Sequence, residues 1–162
     1  MRSTHRKKIG LYVDVQNIYY TTREVYNRQF NYRKLWEQVT GVGEIVVANA
    51  YAINRGVSDQ ERFQSALRHI GFEVKLKPFI SRKDGSAKGD WDVGITIDAI
   101  KDAAELDHII LLSGDGDFEL LINFLHETHD ILFDVYGVSS LTANSLRFAA
   151  DKFYEIDERL LL

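Results

Sequence analysis

Cysteine is absent from this 162-residue sequence, and proline occurs once, at Pro78. Without cysteine there is no disulfide framework, no thiolate metal site and no cysteine nucleophile. A single proline, with no low-complexity tract and no internal repeat, leaves no linker on which to divide the chain. One domain over residues 1–162 is therefore expected. Long hydrophobic runs are lacking as well. The apolar stretch behind the basic N-terminus, "KIGLYVDV", is broken at Tyr12 and ends at Asp14. That is too short for a signal peptide or a membrane span. A soluble, cytoplasmic protein with no membrane association is the expectation. The 45% hydrophobic and 12% aromatic residues suffice for a sizeable core.

Charge is unevenly placed. Residues 1–90 carry 16 Lys/Arg against 9 Asp/Glu, a net of +7, and residues 91–162 carry 4 against 15, a net of -11. One reading is ordinary solvated surface charge. The other is an acidic centre that holds cations, with basic residues of the first half guiding a polyanion towards it. The overall charge of -4 argues against simple coating of nucleic acid.

Strand-like and helix-like segments alternate along the chain. Residues 8–15 read as a strand followed by a polar loop, 32–39 as a helix, and 44–52 as a strand. The stretch 58–71 is the clearest helix. Ser58 and Glu61 have capping-box spacing, Phe63, Ala66, Leu67 and Ile70 form one face, and Gly71 ends it. Residues 72–80 alternate like a strand, 81–90 form a basic loop, and 91–106 read as a helix with a largely apolar body. A buried strand at 108–113, a helix at 117–128, a strand at 130–137, a helix at 140–150 and a last strand at 152–156 complete the pattern. Such alternation implies a three-layer α/β/α sandwich around a mostly parallel sheet. In that architecture chemistry gathers at the carboxyl ends of the strands.

Aspartates fall at those ends. Asp14 closes the first strand, Asp115 and Asp117 follow the strand 108–113, and Asp90 and Asp92 stand where the basic loop becomes a helix. Crowded carboxylates repel, and each protonates or pairs unless a cation sits among them. Mg²⁺ and Mn²⁺ prefer oxygen ligands and suit phosphate chemistry. Each residue also has a purely structural reading. Asp14 can accept from backbone amides of the next turn, Asp117 can cap the helix 118–128, and Asp92 suits a first helical turn electrostatically. Asn17 can hold Asp14 or a phosphate, or form an Asx turn. Asp98, six residues beyond Asp92, does not share its helix face, so an ion pair is as good a reading as a supporting role. The five histidines show no ligand-like spacing with the acids and are expected at the surface or at helix ends. Tyr19, Tyr20 and Trp91 can stack on bases of a single strand or serve as packing residues.

Three blocks, "YVDVQNIY" (12–19), "KGDWDVGITIDAI" (88–100) and "LLSGDGDFELLI" (111–122), resemble the signature blocks of the NYN domain in its bacterial LabA-like branch. That family sits within the PIN-like nuclease superfamily, and the resemblance spans a core of about residues 9–156. It implies a Rossmann-like, PIN-type sandwich and a metal-dependent ribonuclease using Mg²⁺ or Mn²⁺, with no organic cofactor. Asp14 matches the family's first catalytic aspartate and Asn17 its companion. Asp92 matches the acid at the start of the central helix, with Lys88 as the preceding lysine. Asp115 and Asp117 match the last acidic pair, beside the hydroxyl of Ser113, and Asp98 a recurrent acidic position. Catalysis and metal binding are thus expected at Asp14, Asp92, Asp115 and Asp117. Asn17, Lys88, Asp90, Asp98 and Ser113 are expected to support them or bind substrate. Asp90 departs from the family pattern by adding an acid, and Asp92 is favoured over it to face the metal.

RNA, preferably single-stranded, is the expected partner, and a homo-oligomer is compatible with this reading. Lys88, Arg82 and Lys83 can clamp its backbone or be solvated charge. Two rivals stand beside it. One is a non-catalytic RNA-binding or regulatory module, since LabA-like members are linked to regulation. The other is a small-molecule phosphohydrolase, against which Gln16 counts, because such enzymes commonly carry D-x-D on the first strand.

Overall fold

The computed structural model describes residues 6–54, 58–78, 80–81, 87–88 and 90–162. The elements run β1 (Lys8–Asp14), α1 (Val15–Tyr26), α2 (Tyr32–Thr40), β2 (Glu44–Asn54), α3 (Ser58–Ile70), β3 (Glu73–Pro78), β4 (Ile80–Ser81), β5 (Ala87–Lys88), α4 (Asp92–Asp102), β6 (His108–Leu112), α5 (Glu119–Thr128), β7 (Leu132–Gly137), α6 (Asn144–Ala149) and β8 (Lys152–Glu155). Six strands form one parallel sheet in the order β3-β2-β1-β6-β7-β8, and β4 and β5 form a separate antiparallel pair.

Strand periodicity builds the two cores. Leu11 and Val13 of β1, with Ile110 and Leu112 of β6, point to one face of the sheet. There they meet Ile18 of α1, Leu35 and Val39 of α2 and Leu67 of α3. Tyr12, Ile109 and Leu111 point to the other face, against Ile95 of α4, Ile122 and Leu125 of α5 and Leu146 of α6. Three layers result, and β1 and β6 are apolar on both faces, as parallel strands covered by helices must be. Sheet order reverses between β1 and β6, so the crevice beyond their carboxyl ends is the switch point of the fold.

Several local expectations are corrected. The segment after β1 is a helix, not a polar loop. Thr21 and Thr22 lie on its buried side and look polar in sequence, but their hydroxyls donate to Asn17 O and Ile18 O at 2.8 and 2.7 Å. That internal satisfaction lets them be buried. Helix α3 buries Gln64 and Leu67, while Phe63 and Ala66 face outward. Its N-terminal Ser58 side chain lies outside the described residues. The stretch expected as one helix over 140–150 splits into a 3₁₀ turn at Ser139–Leu141 and the shorter α6. His108 is not at the surface: it is buried, with Nε2 2.8 Å from Asp134 Oδ2. His69, His126 and His129 do sit at helix ends, and His5 lies outside the described residues. Among the described residues no helix is long and apolar enough to cross a membrane.

Gly71 ends α3 at φ +138°, and a Cβ there would stand 2.6 Å from the Trp36 ring. Both the backbone and the space exclude a side chain. Gly71→Ala is expected to cost about 1–3 kcal/mol, read as a lower urea midpoint at unchanged slope. An unaltered midpoint would contradict this account of the turn.

Candidate metal centre

Asp14 is at once the last residue of β1 and the N-cap of α1, with no loop between them. Its Oδ1 accepts from the Asn17 amide at 3.4 Å, and its Oδ2 accepts from Ser113 Oγ at 3.1 Å. Ser113, fully buried beyond the end of β6, also accepts from the Asp115 amide at 3.2 Å. Asn17 completes the tie, since its Oδ1 accepts from the Gly114 amide at 2.9 Å. The turns after β1 and β6 are therefore stitched side chain to backbone across the switch point.

Asp115 caps the 3₁₀ turn Gly116–Phe118, and its Oδ1 accepts from the Asp117 amide at 2.9 Å. The cap expected of Asp117 thus belongs to Asp115, which leaves the exposed Asp117 carboxylate uncommitted to that turn. Gly114 and Gly116 fit this turn for reasons of space. A Cβ on Gly114 would lie 2.6 Å from Leu141 O, and one on Gly116 would lie 2.9 Å from the Ala143 Cβ.

Asp92 enters from the third direction, on the first turn of α4. Carboxylate oxygens of Asp92, Asp115 and Asp117 lie within 4.8 Å of one another. Asp14 stands behind them, joined to Asp115 through Ser113. Asp90 lies on the exposed rim, where its Oδ1 accepts from the Asp92 amide at 3.4 Å. The cluster of three therefore contains Asp92 and not Asp90.

Crowding is visible in the protonation of these groups. Burial, then the hydrogen bond shared with Asp115 and the charges of Asp115, Asp90 and Asp14, push the Asp92 carboxyl up to about 8. Burial pushes Asp14 up to about 6, against the opposing hydrogen bonds from Asn17 and Ser113. Three carboxylates this close, with Asp92 pushed up among them, are a donor set suited to a hard divalent cation. Asp92, Asp115 and Asp117 fit such an ion, with Asp14 next to them.

Trp91 takes the packing reading rather than the stacking one, and with Lys77, which sequence reading did not single out, it fixes the entry to α4 beside Asp92. Trp91 donates from Nε1 to Ala52 O at 2.8 Å and lies 5.2 Å from the Tyr51 ring. Lys77 of β3 sits 4.4 Å over the Trp91 ring and donates to Asp90 O at 3.1 Å. Farther along α4, Asp98 accepts from Lys75 Nζ at 2.8 Å and from the Tyr51 hydroxyl at 2.7 Å, and Asp102 accepts from the Tyr12 hydroxyl at 2.7 Å. Burial alone would raise Asp98, but the Lys75 ammonium and the Tyr51 hydroxyl hold it below the ordinary carboxylate range. Asp98 thus forms the ion pair that was one of its two readings, and it is not brought into the acid cluster. The alternation of Lys75 and Lys77 along β3 was the available signal for these anchors. The Lys88 side chain, Arg82 and Lys83 lie outside the described residues.

The sequence profile of the NYN domain family matches residues 8–157. "Low amplitude and bright protein LabA" from Synechococcus elongatus is 28% identical over 161 residues, covering 93% of this chain and 84% of its own length. A crystal structure of a protein of unknown function from Vibrio parahaemolyticus RIMD 2210633 is 51% identical and superposes with a TM-score of 0.94, covering 100% of each chain.

Raised carboxyls bind protons in the folded chain that the unfolded chain has already released. Their stabilisation is complete below about pH 4 and is lost as pH rises through about 6 for Asp14 and about 8 for Asp92. With chelator present, the melting temperature is expected to be lower at pH 8.5 than at pH 5.5. Asp92→Asn should flatten that decline, and added Mg²⁺ or Mn²⁺ should stabilise more at the higher pH. A decline of the same steepness in Asp92→Asn would show that other groups cause it.

Proposed function

We propose that this chain, which belongs to the NYN domain family of PIN-like nucleases and is related to LabA, is a divalent-metal-dependent ribonuclease. The observation that carries the reading is the approach of Asp92, Asp115 and Asp117 oxygens to within 4.8 Å at the switch point, with Asp14 tied to Asp115 through Ser113. In this reading Asp92, Asp115 and Asp117 hold Mg²⁺ or Mn²⁺, with Asp14 directly or through water. When bound, the ion supplies charge stabilisation for phosphoryl oxygens and lowers the pKa of water.

The chain's own groups do the positioning. Ser113 and Asn17 keep Asp14 and the 114–117 turn in register, so the acids meet a phosphodiester as a preset cluster. Trp91 and Lys77 fix the entry of α4 and hence Asp92. Tyr19 and Tyr20, exposed on the helix that Asp14 caps, have ring centroids 5.4 Å apart. Exposed rings beside an acidic crevice suit the unpaired bases of single-stranded RNA. Phosphate contacts would come from the basic first half of the chain.

Incubation of the full chain with labelled single-stranded RNA in Mn²⁺ or Mg²⁺ tests this. Cleavage should require the ion and fall on the order of 100-fold or more in Asp14→Asn and Asp115→Asn. Asn at position 14 retains a capping oxygen for α1, so fold and activity separate. Cleavage that persists in chelator or in both variants would refute the site. RNA binding without turnover would instead identify a regulatory module.

A further inference from the structure

We infer that the outer face of α4, α5 and α6 is the two-fold interface of a homodimer. Helix α4 turns Ile95 and Ala99 into the core, yet it also carries Val93, Ile97 and Ile100 on its exposed side. Those three are spaced i, i+4, i+7 and share one face. Helix α5 repeats the arrangement, with Leu121, Ile122 and Leu125 inward and Leu120 and Phe124 outward. Phe148 of the neighbouring α6 is 87% exposed, Leu120 77% and Val93 68%. Helix α4 thus carries a second apolar stripe, Val93, Ile97 and Ile100, which the folded chain leaves uncovered.

The opposite layer is different. There Tyr19 and Tyr20 carry hydroxyls that suit water, and the exposed Val25 and Phe63 stand on separate helices, α1 and α3. The α4–α6 face presents aliphatic side chains and phenylalanines. Its six side chains expose on the order of 600 Å² of apolar area, at the upper end of the largest patch on a typical monomer. A standard interface buries about 800 Å² per partner, with roughly 65% of it apolar in homodimers. One copy of this face therefore supplies the apolar core that a stable dimer needs.

Apolar area matched to a half-interface points to a second copy as the occupant. In a two-fold contact the patch meets itself, so its rim must carry both signs. Lys101 lies at the C-terminal end of α4 and Glu119 at the N-terminal end of α5. A two-fold axis across these helices turns the Glu119 end of each copy towards the Lys101 end of the other. The surrounding half of the chain, residues 91–162, has a net charge of -11, which disfavours an anionic membrane or a nucleic acid on this face; the same charge opposes the second copy, so the dimer should tighten as salt rises. The inference is independent of the ribonuclease reading, because mass and activity are measured separately.

Light scattering during gel filtration of the full chain tests it. At about 100 µM the protein should elute at twice its chain mass of 18.6 kDa. Leu120→Asp and Ile97→Asp, both on exposed positions, should give the single-chain mass with an unchanged far-ultraviolet spectrum. Val25→Asp on α1, in the other layer, should stay dimeric. Hydrogen exchange of the unsubstituted chain reads the same face without a variant, since the amides of α4 and α5 should gain protection as concentration rises. A monomeric unsubstituted chain at that concentration overturns the inference. So does a dimer that survives both folded variants, or one whose α4 and α5 protection ignores concentration.

Discussion

Repulsion among four aspartates at the end of one sheet is the constraint around which the centre of this molecule is arranged. Left to themselves the carboxylates would turn away from one another into water. Three of them do not, because each is held by its backbone position or by a hydrogen bond. Asp14 is immobilised between α1 and Ser113, Asp115 by the turn it caps, and Asp92 by the Trp91–Lys77 contact at the entry to α4. The cost of that confinement appears in the raised carboxyls of Asp14 and Asp92. A divalent cation placed among them would convert the same crowding into attraction.

The sheet and its acidic edge were legible in the sequence because buried parallel strands leave near-continuous apolar runs, and the residues after them are free to be polar. Helix α1 was not legible, because its buried threonines satisfy themselves by bonding back along the helix. The pattern of hydropathy therefore under-reports its buried face. The cap that Asp117 could have supplied to the helix 118–128 is instead made by Asp115, on the turn before it, for a related reason. Either Asp115 or Asp117 has the composition of a cap, and only the backbone decides which amide lies within reach. His108 was misplaced because its partner, Asp134, lies on the adjacent strand, and strand register cannot be read from spacing along the chain. Lys75, Lys77, Tyr51 and Trp91 escaped notice as a group because they come together only when β2, β3 and α4 pack.

The division of charge along the chain also gains a spatial meaning. Residues of the basic first half build β1, β2 and β3 and the α1–α3 layer. Residues of the acidic second half build β6, β7 and β8 and the α4–α6 layer. The seam between them is the β1–β6 pair. Asp14 is contributed from the positive side of that seam, and the other three acids from the negative side. Under the ribonuclease reading, a polyanion would approach this seam with the basic half of the chain on one side and the candidate cation site at the bottom.

The hydrogen bond from Ser113 to Asp14 joins residues 99 apart in sequence. Closing so long a loop costs chain entropy that local helices do not incur, so contacts of this kind tend to consolidate late. The second half supplies the clustered Asp92, Asp115 and Asp117, and the first half supplies Asp14 alone. Each half can organise strands and helices of its own, and Asp14 joins the other acids only once β1 has paired with β6. An ion shared with Asp14 would therefore favour the assembled sheet over a chain in which β1 is still unpaired.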